Sequence, residues 1–134
     1  MARNETFFTQ GAAGRDQGKV FHITEMSASQ AEWWALRALM AMGRAGVEVP
    51  DNLREMGMAA LALEGLKAIS CIPPDEAKPL LDELMACVQI VPEPANQAVR
   101  RALLENDIEE ISTRLKLRAE VFKLHVDFFT AATR

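Results

Sequence analysis

Apolar positions along this chain recur mostly at helical spacing. Ala31, Trp34, Ala35, Ala38, Leu39 and Met42 follow a 3.6-residue period and predict the core stripe of a helix over about 28–44. Ser27-Ala28-Ser29-Gln30 reads as its capping box, with the Ser oxygen accepting an orphan amide and Gln30 reaching back. Gly43 and Gly46 mark its end. After the connector Val47-Glu48-Val49-Pro50, Asp51 is a good N-cap for a second helix over 52–70. Within it Gly57 and Gly65 each cost about 1 kcal/mol relative to Ala. Asp75 after Pro73-Pro74 opens a third helix over 76–90, with Pro79 tolerable in its first turn. Pro92-Glu93-Pro94 stops it, and 92–106 reads as a loop with at most a helical turn over 99–104. Asn106 or Asp107 is then expected to cap a last helix reaching about 131.

Period-two patterning is confined to the N-terminal part. Val20-Phe21-His22-Ile23-Thr24 is β-branched and aromatic and predicts a short strand, with Thr6-Phe7-Phe8-Thr9 as its hairpin partner. Residues 1–19 are otherwise turn-rich, with Arg15-Asp16-Gln17-Gly18 as a turn. A lone hairpin is marginal in water, so this one must lie on helices. The expected fold is mainly α: a small bundle of about four helices with a short N-terminal strand or hairpin, in a single domain spanning 1–134.

Two of the predicted helices are apolar on two sides. In the first, Trp33, Leu36 and Met40 form a second line pointing away from the core stripe, although an internal role for both lines is the commoner outcome. In the last, Ile108, Ile111, Leu115, Phe122, Val126 and Phe129 make one stripe, taken as core, with Ala119 beside it. Leu117, Val121, Leu124 and Phe128 make another, nearly opposite because Leu115 and Leu117 are about 200° apart. Monomers seldom keep such a stripe bare, so Trp33, Leu36, Met40, Leu117, Val121, Leu124 and Phe128 are the predicted protein-binding residues.

Composition sharpens this. With 134 residues, 49% hydrophobic and 25% charged, the chain has enough apolar side chains for one core and is not wholly disordered. Aromatics are only 6% and Tyr is absent, which leans away from a β-sandwich. Seven Met suit surfaces that adapt in shape. The net charge of −4 argues against a nucleic-acid partner. The start of the chain lacks a signal-peptide core, and no apolar run approaches the ~20 residues of a membrane helix, so a cytoplasmic, membrane-free protein is expected.

Candidate chemistry is sparse. Gly14-Arg15-Asp16-Gln17-Gly18-Lys19-Val20 has too few residues between its glycines for a phosphate loop, lacks Ser or Thr after Lys19, and leads into a strand. His22 and His125 lack ligand-spaced partners, and Cys71 and Cys87 sit among apolar residues and are expected to be inert core thiols. Glu109 and Glu110 suit the positive end of a helix dipole. Arg114-Leu115-Lys116-Leu117-Arg118 is a short basic cluster that Glu110 and Glu120 can neutralise at helical spacing. No catalytic, cofactor-binding or metal-binding residue is nominated, and an enzyme is the least favoured class.

Two blocks carry a resemblance. Arg15-Asp16-Gln17-Gly18-Lys19-Val20-Phe21-His22-Ile23-Thr24-Glu25-Met26, continuing through Gln30-Ala31-Glu32-Trp33-Trp34-Ala35-Leu36-Arg37-Ala38-Leu39, is the first. Asp107-Ile108-Glu109-Glu110-Ile111-Ser112-Thr113-Arg114-Leu115-Lys116-Leu117-Arg118-Ala119-Glu120-Val121-Phe122, running on to Phe129, is the second, with Leu80-Leu81-Asp82-Glu83-Leu84 between them. In this order the blocks resemble the tail assembly chaperones of long-tailed bacteriophages and prophages. Ser27 stands where that family often has Pro, which leaves a helix start intact. The resemblance implies a mainly helical, non-enzymatic protein without cofactors, in the host cytoplasm and absent from the mature virion. The resemblance further implies binding to the tape measure protein, self-association as is common in that family, and, where a frameshifted extension is made, contact with the tail tube protein through it. The alternatives are a structural tail or neck component retained in the virion and a small helical nucleic-acid-binding regulator.

Overall fold

The computed structural model of the chain describes residues 5–46, 64 and 67–132, with side chains described as far as His125. The fold is not a mainly helical bundle. A four-stranded antiparallel sheet, ordered β1-β2-β3-β4, forms one layer, and helices pack on one of its faces. The strands are β1 (Glu5–Thr9), β2 (Val20–Thr24), β3 (Val88–Val91) and the two-residue β4 (Arg101–Ala102). The helices with described bounds are α1 (Ala28–Arg44), α2 (Pro74–Met85) and α3 (Ile111–Ala132), with a 3-10 turn at Glu105–Asp107.

The predicted hairpin forms, with Phe7 opposite His22 and Phe8 opposite Phe21. Its ladder parity follows from two bonds. Gln10 N–H donates to Lys19 O at 3.0 Å, and Thr24 N–H donates to Cys87 O at 3.1 Å. Bonded pairs alternate along an antiparallel ladder. Phe21 and Ile23 of β2 therefore bond to β1, while Val20, His22 and Thr24 bond to β3. The connecting loop turns at Gly18, whose φ of +85° lies in the left-handed region.

The expected third helix is shorter than its pattern suggested. It ends at Met85, and Val88-Gln89-Ile90-Val91 becomes β3, paired with β2 through Phe21 opposite Ile90 and Ile23 opposite Val88. The β-branched run prefers a pleated surface once Ala86 and Cys87 have closed the helix. The expected turn of helix over 99–104 is instead β4, with Arg101 opposite Ile90. The expected helix over 52–70 lies mostly outside the described residues, as do Asp51, Gly57 and Gly65; residues 67–70 are helical.

The core lies between the helices and the inner face of the sheet. Phe21, Ile23, Val88 and Ile90 meet Trp34, Ala38 and Ala41 of α1, Leu80 and Leu84 of α2, and Leu117 and Val121 of α3. Trp34 Nε1 donates to Leu80 O at 2.9 Å, and its ring meets Phe122 edge-on at 6.0 Å. A buried indole therefore has both its apolar body and its donor satisfied.

Candidate interaction surface and its buried polar joint

The outer side of α1 is apolar and exposed. Ser27 Oγ accepts from Gln30 N–H at 3.3 Å and starts the helix, and Gly46, with φ +74°, follows its end in the left-handed region. Trp34, Ala38 and Ala41 turn inward, which sends Trp33, Leu36 and Met40 outward at 56%, 44% and 48% exposure. Leu39, expected in the core stripe, is exposed as well. At about 100° per residue it stands on the shoulder of the helix, a quarter turn from Ala38. The Arg37 guanidinium lies 5.6 Å from the Trp33 ring centroid and donates to Glu83 Oε1 at 2.6 Å. That pairing holds the Arg37 pKa above its ordinary value, and the cation lies over the indole face. Beside this face, Arg37, Met40, Ala41, Arg44, Glu76, Pro79 and Leu80 line a cleft of about 290 Å³ between α1 and α2.

The second predicted contact line is overturned. Leu117 and Val121 are wholly buried, so they cannot present a docking surface. Leu124 is half-buried against the core, and the side chain of Phe128 lies outside the described residues, as do those of Val126 and Phe129. Two members of the stripe assigned to the core, Ile111 and Leu115, are exposed instead, at 78% and 55%. Ile108 and Phe122 of that stripe are half-buried against the core.

The reason for the inversion is Asp16. This fully buried carboxylate, expected only in a turn, accepts from Glu109 N–H at 2.9 Å, Glu110 N–H at 2.9 Å and Thr113 Oγ1 at 2.7 Å. It thus serves the start of α3 from a loop 97 positions away, in place of the expected Asn106 or Asp107. Thr113 must face inward to reach it, and Leu117 and Val121 follow at one-turn intervals. Asp107 instead accepts from Leu104 N–H and forms a two-point ion pair with Arg101 at 2.7 and 2.8 Å.

Other polar groups close round the joint. Lys19 Nζ donates to Asp16 Oδ1 and to Asp107 O, both at 2.9 Å. Gln10, also buried, donates through Nε2 to Thr113 Oγ1 at 3.1 Å. Glu110 Oε1 accepts from Asp16 N–H at 3.3 Å rather than neutralising the basic cluster. Burial opposes ionisation of Asp16, yet Lys19, the two backbone amides and the Thr113 hydroxyl together hold its pKa far below the usual carboxylate range. Lys19 is correspondingly raised by Asp16.

Among the described residues every buried side-chain nitrogen and oxygen has a partner, and this joint fastens the start of α3 to the β1–β2 loop. The histidines are engaged too. His22 meets Glu5 Oε2 at 3.0 Å, and His125 Nε2 accepts from Met26 N–H at 2.8 Å while its Nδ1 faces Val121 O. Burial, with Glu83 nearby, pushes the Cys87 thiol up to about 11. No group of three His, Cys, Asp or Glu side chains spaced to hold a metal occurs among the described residues. No helix among them is long and apolar enough to cross a membrane. Comparison with protein-family models, with characterised proteins and with solved structures gives no match.

Proposed function

We propose that the chain is a tail assembly chaperone of a long-tailed phage or prophage, binding the tape measure protein in the host cytoplasm and keeping it dissolved until the tail tube grows around it. The observation that carries the reading is the bare apolar side of α1, with Trp33, Leu36, Leu39 and Met40 together on one helix. A helical, poorly soluble client presents apolar stripes that such a face can cover, and a Met beside a Trp adapts to more than one sequence. The two blocks that resemble this chaperone family support it. In the fold they meet, since Asp16 belongs to the first and Thr113 to the second. The corrected contact set is Trp33, Leu36, Leu39 and Met40, with the Leu117 line withdrawn.

Co-expression with a tape measure protein tests the proposal. The client is expected in the soluble fraction with this chain in excess, and back in the pellet with Trp33→Ser/Met40→Ser. A client insoluble in both cases refutes it. Mass spectrometry of purified particles separates it from a retained tail component, because a chaperone is absent from the virion.

A further inference from the structure

The basic cluster of α3 is split by the fold. Lys116 reaches Gln10 on the β1 side, and Glu120, one turn on, shares its flank. Arg114 and Arg118 stand on the nearly opposite flank, where Arg118 Nε donates to Leu81 O of α2 at 3.4 Å. Glu110 has the helical spacing to pair with Arg114, but the buried joint draws it away, since its Oε1 receives Asp16 N–H. Glu109 reaches Lys19 at 3.5 Å, and Asp82 of α2 pairs with Lys78 at 2.9 Å. Among the described residues neither Arg114 nor Arg118 has a carboxylate partner.

The two cations also oppose each other. They are one turn apart on one helix, and Arg118 is half-buried. Burial, and then Arg114 beside it, hold the Arg118 pKa below its ordinary value. Next to them lie the exposed Ile111 and Leu115, also one turn apart. The four side chains share a sector of about 100° on the helix. It carries an apolar line and a cationic line side by side.

We infer that this sector docks an acidic amphipathic helix of another protein, with carboxylates on Arg114 and Arg118 and an apolar line on Ile111 and Leu115. A helix repeats both kinds of side chain at the same one-turn interval, so the two lines are matched together. Its ridge fits the groove between them. Each guanidinium offers a carboxylate two parallel donors, and a carboxylate opposite each arginine removes their mutual opposition. A nucleic acid would bring phosphates but no apolar line to cover Ile111 and Leu115, and it would meet a chain of net charge −4. The sector lies on a different helix from Trp33 and Met40, and the inference does not rest on the chaperone reading.

Two synthetic helical peptides, titrated into the full chain and followed by fluorescence anisotropy and amide chemical shifts, test it. One carries Leu and Glu on adjacent lines, each at four-residue spacing; in the other, Lys replaces Glu. The acidic peptide is expected to bind and to shift the amide signals of residues 111–118, and the basic peptide is not. Arg114→Glu should weaken the acidic peptide about tenfold and admit the basic one, an exchange that a misfolded variant would not give. Trp33→Ser/Met40→Ser should leave the acidic peptide bound. Equal affinity for the two peptides overturns the inference, as does indifference to Arg114→Glu. Loss of binding in Trp33→Ser/Met40→Ser overturns it by moving the peptide to α1. An oligonucleotide held more tightly than the acidic peptide overturns it by giving the arginines to phosphate.

Discussion

Thr113 donates its hydroxyl to Asp16 Oδ2 at 2.7 Å across 97 positions of sequence, and neither side chain is exposed to water. This contact fixes the rotation of α3 about its own axis. With Thr113 inward, Leu117 and Val121 enter the core, and Ile111 and Leu115 face out.

Removing the carboxylate should therefore cost more than an average substitution. Asp16→Ala leaves Glu109 N–H, Glu110 N–H and the Thr113 hydroxyl without their acceptor, and leaves Lys19 with the Asp107 carbonyl but not the carboxylate. Denaturant unfolding is expected to show a loss of about 3–5 kcal/mol. A loss under about 1 kcal/mol would show that water replaces the joint freely.

Acid should loosen the same joint. Asp16 and Asp107 both have lowered pKa values in the folded chain. A depressed carboxylate contributes stability that is complete above its unfolded pKa of about 3.9 and is lost as pH falls from there through the folded value. Stability measured from pH 6 to 2 should therefore decline below about pH 4. Asp16→Asn should flatten that decline, and an unchanged slope would remove Asp16 from the account.

The inverted stripe makes a paired prediction. Leu117→Ala opens a cavity in the core and is expected to cost about 2–5 kcal/mol, whereas Leu115→Ala should stay within about 0.5 kcal/mol. The opposite ranking would restore the helix orientation that periodicity suggested.

Gly14 is a third point of close fit. Its φ is +150°, and a Cβ there would overlap the Glu110 carboxylate that receives Asp16 N–H. Gly14→Ala should destabilise by about 1–3 kcal/mol. Gly11→Ala serves as the control, because nothing lies near its Cβ position.

Thiol labelling near neutral pH should distinguish the cysteines. Cys71 is exposed, while Cys87 is half-buried with its pKa pushed up to about 11. Cys71 should react first, and Cys87 only on unfolding.

Local chemistry explains which features could be read from the chain alone. Ser27 lies beside the amide it caps, and β1 and β2 are joined by a short loop, so neighbours in sequence are neighbours in space. The outward direction of Trp33, Leu36 and Met40 follows from the same local period. β3 carried a signal in Val88, Ile90 and Val91, but the apolar spacing of α2 runs into it without a break. Asp16 carried none. A carboxylate between Arg15 and Gln17 has the composition of a turn, and only the remote amides of Glu109 and Glu110 give it another role. Two equally apolar stripes on α3 left its orientation undetermined until that distant partner was known.

The fastening at Asp16 also sets an order of events during synthesis. The hairpin emerges early, yet its carboxylate has no amides to receive until residues 109–113 have been translated. At about 5–20 residues per second that is a wait of seconds, in which the β1–β2 unit lacks its anchor. A chain cut short before residue 109 never closes the joint, and the ribosome releases it without the amides and hydroxyl that receive the Asp16 carboxylate.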